Sequence, residues 1–261
     1  GDDGPLIAIR ADMDALPITE ANDASYCSCN PGVMHACGHD AHTAILLGVA
    51  HLLHQSYRDE PWRGRVRLLF QPAEEAFDEN NISGATAMID DGALEGIDAV
   101  IALHVSADQP SGQFQFHDGP SLAAVDSFDA WLTGDGAHGA YPHTGSDPIY
   151  MLAPVLTALY AIPSRRINPL EPSVVSIGQV SGGAASNVIP NEVLLRGTLR
   201  SLRSEVREQL WAEVENALRL TEHLGGGYRL DIITGYPPMI NDPEANGWMR
   251  AVTADLLGEA V

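Results

Sequence analysis

The architecture of this chain of 261 residues is indicated first by one stretch, Val66-Arg67-Leu68-Leu69-Phe70-Gln71-Pro72-Ala73-Glu74-Glu75. Its first five residues form a short, mainly apolar run, which predicts a buried strand. Two similar runs occupy residues 6–9 and 99–103, and residues 41–55 and 84–90 repeat apolar side chains at helical spacing. Strands that alternate with helices predict an α/β fold, in which a mostly parallel mixed sheet carries helices on both faces.

The pattern changes after Gly119-Pro120, where an alternating strand begins a second set of elements. These elements are predicted as strand 124–132, helix 147–162, strands 174–180 and 192–199, helix 204–220, strand 228–234 and a last helix 243–257. Their order is typical of a small α+β domain inserted into the first domain. We therefore predict a first domain in residues 1–119, an inserted domain in 120–234, and an incomplete return to the first domain in 235–261.

The charge balance excludes two classes of partner. The chain has 35 acidic and 14 basic side chains, for a formal charge of -21, and every basic one is an arginine. Nucleic acids and anionic membranes both need a basic face, so neither is expected as a partner. No apolar run approaches the roughly 20 residues that span a bilayer, and residues 1–4 show no signal peptide. Three cysteines are too few for a disulfide framework, which favours a reducing compartment and a cytoplasmic location.

The absence of lysine has two explanations that the sequence leaves open. Codon bias in a GC-rich genome would leave lysine out for no structural reason. Adaptation to high salt would favour an acidic surface, which keeps a protein soluble there. In either case, a group that binds a carboxylate or an oxyanion must be an arginine, a histidine, an asparagine or a metal.

The densest group of polar side chains is His35-Ala36-Cys37-Gly38-His39-Asp40-Ala41-His42. Imidazole and thiolate are ligands of zinc and of its neighbours among the transition metals. Cys37 and His39 flank one glycine, so both can reach the same ion from an extended turn, and Asp40 is a good N-cap for the helix that follows. The alternative is a turn whose histidines only cap the helix and form hydrogen bonds.

Further candidate ligands follow the three predicted strands of the first domain. Asp12 and Asp14 follow the first strand, Glu74 and Glu75 the second, and His104 the third. Because ligands gather outside the carboxyl ends of strands in open α/β sheets, we expect these side chains to converge. Adjacent carboxylates point in different directions, so one can bind a metal while the other holds an attacking water. Metal-assisted hydrolysis needs that division of roles.

Six motifs resemble the M20 metallopeptidase superfamily. Three belong to the first domain, namely Ile9–Ile18, Gly32–Ala44 and Phe70–Glu75. Three more are similar to the lid, or dimerisation, domain of that family, namely Gly139–His143, Ser186–Pro190 and Arg196–Arg200. The similarity is greater to the amidohydrolase branch, which includes hippurate hydrolases, N-acyl-amino-acid hydrolases and auxin-conjugate hydrolases of the plant type. The resemblance thus implies a catalytic domain with an inserted lid.

The resemblance also implies a site for two divalent metal ions, which would be Zn, Mn, Co or Ni. By match to the family motifs, the ligands would be Cys37, His39, Glu75 and His104. Glu74 would be the general base, which polarises the water between the metals and passes its proton to the leaving amine. Asp14 matches an acidic residue that the family places behind the metal site.

For the lid, the resemblance implies roles in binding. His138 matches a histidine that stabilises the tetrahedral oxyanion, often across a dimer interface. Asn187 and Arg200 match positions that hold the substrate carboxylate or the oxyanion. The alternatives are an ordinary loop histidine at position 138 and a surface ion pair for Arg200.

The function implied by the resemblance is metal-dependent amide hydrolysis, which removes the acyl group of an N-acyl amino acid or a related conjugate. The enzyme would be a homodimer formed through the lid. One alternative is a dipeptidase or carboxypeptidase of the same superfamily. The other is a non-catalytic module that binds metal or dimerises.

One departure from the family pattern concerns the second metal ion. The family normally completes that site with a histidine near the C-terminus, whereas this chain has none after His223. Either the sequence is part of a longer protein, or it is a natural fragment that cannot hold two metals. We favour the first explanation, because an α/β sheet without its last strands would expose apolar surface.

Overall fold

The computed structural model describes residues 3–258, so the ends of the predicted domains at residues 1–2 and 259–261 lie outside the described residues. The chain divides into two compact units. The first comprises the described residues up to Phe114 and from Thr253 onward, and the second is Gln115–Val252. The domain limits 1–119, 120–234 and 235–261 stay a prediction. None of the helices between residues 3 and 258 combines the length and the apolar character that a membrane span requires.

The first unit is built on a parallel sheet. Its elements are β1 (Leu6–Asp12), α1 (His39–Asp59), β2 (Arg65–Gln71), α2 (Gly84–Asp90) and β3 (Ala99–Ala102). The strand order is β2-β1-β3, with Asp12 opposite Gln71 and Arg10 opposite Ala102, so all three carboxyl ends lie at one edge. α1 packs against β1 and β2, and α2 packs against β2. The predicted α/β fold with a parallel sheet is confirmed.

The start of α1 differs from the prediction. In β1, Leu6, Ala8 and Ala11 are buried, as expected for a strand that is covered by a helix. α1 follows an N-cap at Gly38, whose φ is 84°, and Asp40 lies in the first turn. The prediction of Asp40 as the N-cap is therefore wrong. The left-handed backbone at Gly38 turns the chain into the helix two residues earlier, and Asp40 instead lies where a negative charge suits the helix dipole.

The second unit contains the remaining elements. Its strands are β4 (Gly119–Leu122), β5 (Ala124–Thr133), β6 (Ala137–His138), β7 (Ser173–Gly182), β8 (Val188–Ile189), β9 (Glu192–Ser201), β10 (Gly227–Thr234) and β11 (Met239–Asn241). Its helices are α3 (Pro148–Arg165), α4 (Ser204–Leu218), α5 (Leu220–His223) and most of α6 (Pro243–Leu257). Four strands form an antiparallel sheet in the order β10-β5-β9-β7. Two short pairs, β4 with β11 and β6 with β8, are not apparent in the sequence pattern.

The core of the second unit lies between its sheet and the helices α3 and α4. Phe128, Ala130 and Leu132 alternate along β5 and are fully buried. They belong to one apolar cluster with buried helical residues such as Leu159 and Leu210. Helices therefore cover one face of this antiparallel sheet, and that one-sided burial explains the alternating pattern from which the strand was predicted.

A buried ion pair joins three segments of the second unit. The carboxylate of Asp126 on β5 is 1% exposed, and Arg207 of α4 donates to it twice, at 2.5 and 2.8 Å. Trp211 Nε1 and the amide of Gly235 also donate to it, at 2.9 and 3.1 Å. Burial acts to raise the pKa of Asp126, but the hydrogen bonds, above all those from Arg207, lower it. The carboxylate thus fixes α4 and the residue after β10 against β5.

Replacement of Asp126 by alanine is expected to lower the free energy of unfolding by about 3–5 kcal/mol, because it leaves a largely buried guanidinium without its anion. Asp129→Ala is the matched control on the same strand. Its partner Arg196 is 53% exposed, and surface ion pairs contribute at most about 1 kcal/mol. Chemical denaturation followed by circular dichroism measures both values, and equal effects would contradict the role assigned to Asp126.

Candidate metal centre

His39, the first residue of α1, lies at the centre of the site. Its ring is fully buried, and its Nδ1 lies 3.1 Å from Asp14 Oδ1. An ionised carboxylate only accepts hydrogen bonds, so Nδ1 carries a proton, and in a neutral ring Nε2 then carries the lone pair. Among the described residues, that buried Nε2 has no hydrogen-bond partner. The nearest carboxylate oxygen, Asp12 Oδ2, lies 3.7 Å from it, beyond hydrogen-bond distance. A buried imidazole nitrogen without a hydrogen bond is costly, whereas the same atom is well suited to bind a cation.

The other predicted ligands lie around His39. Cys37 Sγ is 3.4 Å from His104 Nε2. One ligand atom each from Cys37, His39 and His104 lies within 4.8 Å of the others, and the same holds for His39, Glu74 and Glu75. The two groups share His39, so the structure brings the four predicted ligands together with Glu74. Thiolate, imidazole and carboxylate are a donor set that fits zinc and neighbouring divalent ions.

Two glycines allow the turns that carry these ligands. Gly38 has a φ of 84°, and a Cβ there would lie 2.5 Å from Val105 Cγ2, so only glycine fits between Cys37 and His39. At Gly84, a Cβ would lie 1.7 Å from the carbonyl oxygen of Pro72. The chain after β2 can therefore pack tightly against the start of α2, and this close approach fixes the segment that leads to the two glutamates.

Asp14 links two of the candidate ligands. Besides its contact with the ring of His39, it accepts a hydrogen bond of 2.9 Å from the amide of Glu75. Burial acts to raise the pKa of Asp14, but the amides of Glu75 and Glu74 and the ring of His39 lower it. An ionised Asp14 therefore holds the tautomer of His39 and the backbone of Glu75 at the same time, which agrees with a place behind the ligands.

The site concentrates negative charge. Burial first, and then Glu75, Glu74 and Asp12, raise the pKa of the Cys37 thiol to about 11. Burial and the charge of Glu75 also raise the pKa of Glu74. The positive charge of Arg10 acts to lower the pKa of Glu74, but it does not cancel the rise. A divalent cation would supply the missing positive charge, and it would remove the proton from the thiol.

A second buried group, formed by Asp12 and His42, lies beside the candidate ligands, and its role was not predicted from the sequence. Asp12 Oδ2 lies 2.7 Å from Arg10 Nη1, and Asp12 Oδ1 lies 2.5 Å from His42 Nδ1. Both oxygens of Asp12 are thus engaged by protein groups, although the sequence placed it among the converging ligand candidates. The sequence feature that could have revealed this group is the separation of three residues between His39 and His42, which puts both rings on one side of a helix.

The predicted lid residues lie in the second unit. His138 is exposed on β6, and its Nδ1 accepts a hydrogen bond of 3.0 Å from the amide of Ala140. The carbonyl of Asn187 accepts a bond of 2.8 Å from the amide of Gly139, which places these two segments side by side. Arg200 Nη1 donates to the carbonyls of Leu199 and Asp126, at 2.8 and 3.3 Å. Within the described part of the chain, no carboxylate forms an ion pair with Arg200.

The raised pKa of Cys37 predicts a slow reaction with iodoacetamide in protein stripped of metal. A rise from 9.0 to about 11 lowers the thiolate fraction about 100-fold. A thiolate of higher pKa is intrinsically more nucleophilic, which restores about 10-fold of the lost reaction rate. The net rate at pH 8 should therefore be about 10-fold below that of an ordinary cysteine. Mass spectrometry of peptides follows the rate from pH 7 to 9.5, with the exposed Cys29 as the internal control. A plateau for Cys37 below pH 9 would contradict the environment described.

The raised pKa of Glu74 predicts that its charge destabilises the metal-free fold. Above the ordinary pKa of 4.5, an ionised Glu74 costs more in the folded than in the unfolded state. Glu74→Gln should therefore raise the midpoint of thermal unfolding at pH 7.5. The gain should shrink as the pH falls and should vanish below the ordinary pKa of 4.5, where the carboxyl is protonated in both states. Glu79→Gln, at an exposed carboxylate, is the control. A lower midpoint for Glu74→Gln at pH 7.5 would refute this prediction.

Comparison with known proteins identifies the family. Residues 8–261 match the family described as Peptidase family M20/M25/M40. The chain is 44% identical over 252 residues to N-acetyl-L-cysteine deacetylase of Bacillus subtilis, a match that covers 95% of this chain and 58% of that protein. It is also 44% identical over 255 residues to N-acyl-L-amino acid amidohydrolase of Geobacillus stearothermophilus, which covers 95% of this chain and 67% of that protein.

A solved structure supports the same relation. The Bacillus subtilis protein YXEP, described as a dinuclear metal binding peptidase from the M20 family, superposes with a TM-score of 0.81 at 33% identity. That match covers 98% of this chain and 64% of the solved chain. The chain thus spans roughly three fifths to two thirds of the length of these relatives. As its motifs predict, the chain belongs to peptidase family M20/M25/M40, and its relatives place it in the amidohydrolase branch.

Proposed function

We propose that this protein is a metal-dependent amide hydrolase that removes the acyl group from an N-acyl amino acid or a related conjugate. The observation that carries the proposal is the buried Nε2 of His39, which forms no hydrogen bond, lies 3.7 Å from Asp12 Oδ2, and is surrounded by a thiol, a second imidazole and two further carboxylates. The names of two relatives, a deacetylase of N-acetyl-L-cysteine and an amidohydrolase of N-acyl-L-amino acids, support this class of substrate.

The proposed ligands of two divalent ions (Zn, Mn, Co or Ni) are Cys37, His39, Glu75 and His104. A solved relative described as a dinuclear metal binding peptidase supports the number of ions. When bound, such cations act as Lewis acids that polarise an amide carbonyl and make water a nucleophile at neutral pH.

Glu74 is the proposed general base. Its carboxyl is half-buried next to Glu75, and its raised pKa brings it nearer to the pH at which it must both accept and release a proton. In the proposed reaction, Glu74 takes a proton from the attacking water and delivers it to the nitrogen of the leaving amine. Asp14 supports the reaction indirectly, because it orients His39 and the backbone of Glu75.

His138 is the proposed donor to the oxyanion that forms on the carbonyl. Because the amide of Ala140 donates to its Nδ1, a neutral His138 ring must carry its proton on Nε2. An exposed ring N–H whose position is fixed by the tautomer is the kind of donor that stabilisation of an oxyanion needs. Asn187 and Arg200 are proposed to bind the substrate carboxylate. Since Nη1 of Arg200 donates to backbone carbonyls, Nη2 and Nε are the atoms assigned to the carboxylate.

The assembly and the location are also proposals. A homodimer formed through the lid would place His138 of one subunit at the metal centre of the other, in the manner that the family resemblance implies.

A cytoplasmic location is supported by the three cysteines, which are all free thiols.

Activity assays test the proposed function. The protein loaded with Zn²⁺, Mn²⁺, Co²⁺ or Ni²⁺ should release acetate from N-acetyl amino acids and benzoate from hippurate. Glu74→Gln should lower kcat by about 10²–10⁴-fold while the bound metal, measured by elemental analysis, is retained. Glu79→Gln is the control and should keep the rate of the unchanged protein. Absence of turnover with all four ions, or full turnover in Glu74→Gln, would refute the proposal.

The same assays separate the alternatives. A dipeptidase or carboxypeptidase would cleave a dipeptide faster than the N-acetylated amino acid that shares its C-terminal residue, whereas the proposed enzyme should prefer the latter. A module that only dimerises would contain close to no metal per chain when purified without chelator. Metal retained without any turnover would favour a metal-binding module.

A further inference from the structure

His42 is a buried histidine that the proposed mechanism does not use. It lies three residues after His39 on α1, and its side chain is 1% exposed. The centroid of its ring lies 4.6 Å from that of His104 and 5.4 Å from that of His39. His42 is thus a third imidazole that packs against two candidate ligands and has no role in the proposed reaction.

The hydrogen bonds of His42 fix its state. The amide of Val105 lies 2.9 Å from His42 Nε2, and an amide N–H can only donate, so Nε2 must hold a lone pair. The ring proton is therefore on Nδ1, which donates to Asp12 Oδ1 at 2.5 Å. Both nitrogens are in use, so His42 is a neutral link between Asp12 and the backbone of Val105 and is not a ligand itself.

Each end of this link is anchored. On one side, Asp12 is held at the end of β1, where Arg10 contacts its second oxygen at 2.7 Å. On the other side, the carbonyl of Val105 accepts a hydrogen bond of 2.6 Å from His104 Nδ1. The two backbone polar groups of Val105 are thus bonded to two different histidine rings.

The link reaches the ligands through Val105. Nδ1 of His104 donates its proton to the Val105 carbonyl, so in the neutral ring Nε2 holds a lone pair at 3.4 Å from Cys37 Sγ. The side chain of Val105 also packs where a Cβ on Gly38 would be, next to Cys37. A displacement of Val105 would therefore move the ring of His104 away from Cys37. It would also weaken the hydrogen bond that fixes the tautomer of that ring.

We propose that His42 is a positioning residue that, through the backbone of Val105, holds His104 beside Cys37 and so sets the affinity of the site for a divalent cation. This inference rests on the proposed function insofar as Cys37 and His104 bind the cation. Partners that orient histidine ligands typically change metal affinity 10–100-fold when they are removed.

Two substitutions separate the two hydrogen bonds of His42. The amide of asparagine reaches the position of Nδ1 only, so His42→Asn keeps a donor for Asp12 and loses the acceptor for Val105. The amide of glutamine reaches the position of Nε2, so His42→Gln can still accept from Val105. His51→Asn, at an exposed histidine of the same helix, controls for the change in helix propensity.

The measurement is the dissociation constant of Co²⁺, obtained by competition with a coloured chelator, together with the thiolate-to-Co²⁺ absorption band that reports the bond to Cys37. We expect His42→Asn to weaken binding 10–100-fold and to reduce the band, while His42→Gln and His51→Asn stay within about 3-fold of the unchanged protein. Equal losses in the asparagine and glutamine variants, or no loss in either, would overturn the positioning role.

A second measurement needs no variant. In the unchanged, metal-free protein, the Val105 amide should be protected from hydrogen exchange, because it donates to a buried ring. Exchange at the rate of an open loop would overturn the proposal even if the variants fail to fold. Failure of the unchanged protein to bind Co²⁺ at all would instead refute the ligand set of the proposed function, so the two failures are distinguishable.

Discussion

Parallel pairing of β1 with β2 and β3 is the constraint on which the candidate metal centre depends. The register places Asp12 opposite Gln71, so the segments that carry Asp14 and the two glutamates leave the sheet side by side. β3 ends at Ala102, opposite Arg10, and delivers His104 to the same edge. A slip of one residue in either pairing would turn the side chains to the other face of the sheet. The apolar runs that form the sheet therefore also determine which polar groups meet, although those groups are distant in sequence.

Negative charge is the second physical feature that explains the site. Burial and the neighbouring carboxylates raise the pKa values of Cys37 and Glu74. Near neutral pH an ionised Glu74 therefore destabilises the metal-free fold, whereas the Cys37 thiol, which is protonated in both states there, does so only above its ordinary pKa of 9.0. Arg10 is engaged by Asp12 and by Gln71 Oε1, at 2.7 and 2.8 Å, so it cannot neutralise the whole cluster. A ligand that binds only the folded state stabilises it in proportion to its affinity. The carboxylates that destabilise the metal-free fold would thus also be the groups that attract a cation.

Much of the fold and of the site was predictable from local patterns, because short apolar runs and helical periodicity reflect burial directly. Residue type and position, either in the polar cluster at the start of α1 or directly after a strand, made Cys37, His39, Glu74, Glu75 and His104 candidates, whereas their separate roles as ligands and base were implied by the family resemblance and stay predictions. Three features could not be found in this way. The cap at Gly38 depends on a left-handed backbone, and the short pairs β4–β11 and β6–β8 join segments that have no strand-like run. The part played by His42 depends on the amide of Val105, and sequence patterns do not report which backbone group a side chain contacts.

The two histidines of the proposed ligand set are oriented by different acceptors, and this difference has a consequence for the site. The ring of His39 donates to the carboxylate of Asp14, which makes its Nε2 a stronger electron donor than a carbonyl partner would. The ring of His104 donates to the carbonyl of Val105, and that residue is held in turn by His42. His39 is fully buried at the start of a helix, whereas His104 is exposed on a loop. The site therefore combines one proposed ligand that is fixed by a charged partner with one proposed ligand whose position depends on a chain of hydrogen bonds. Changes that tune metal affinity are expected to act on the second.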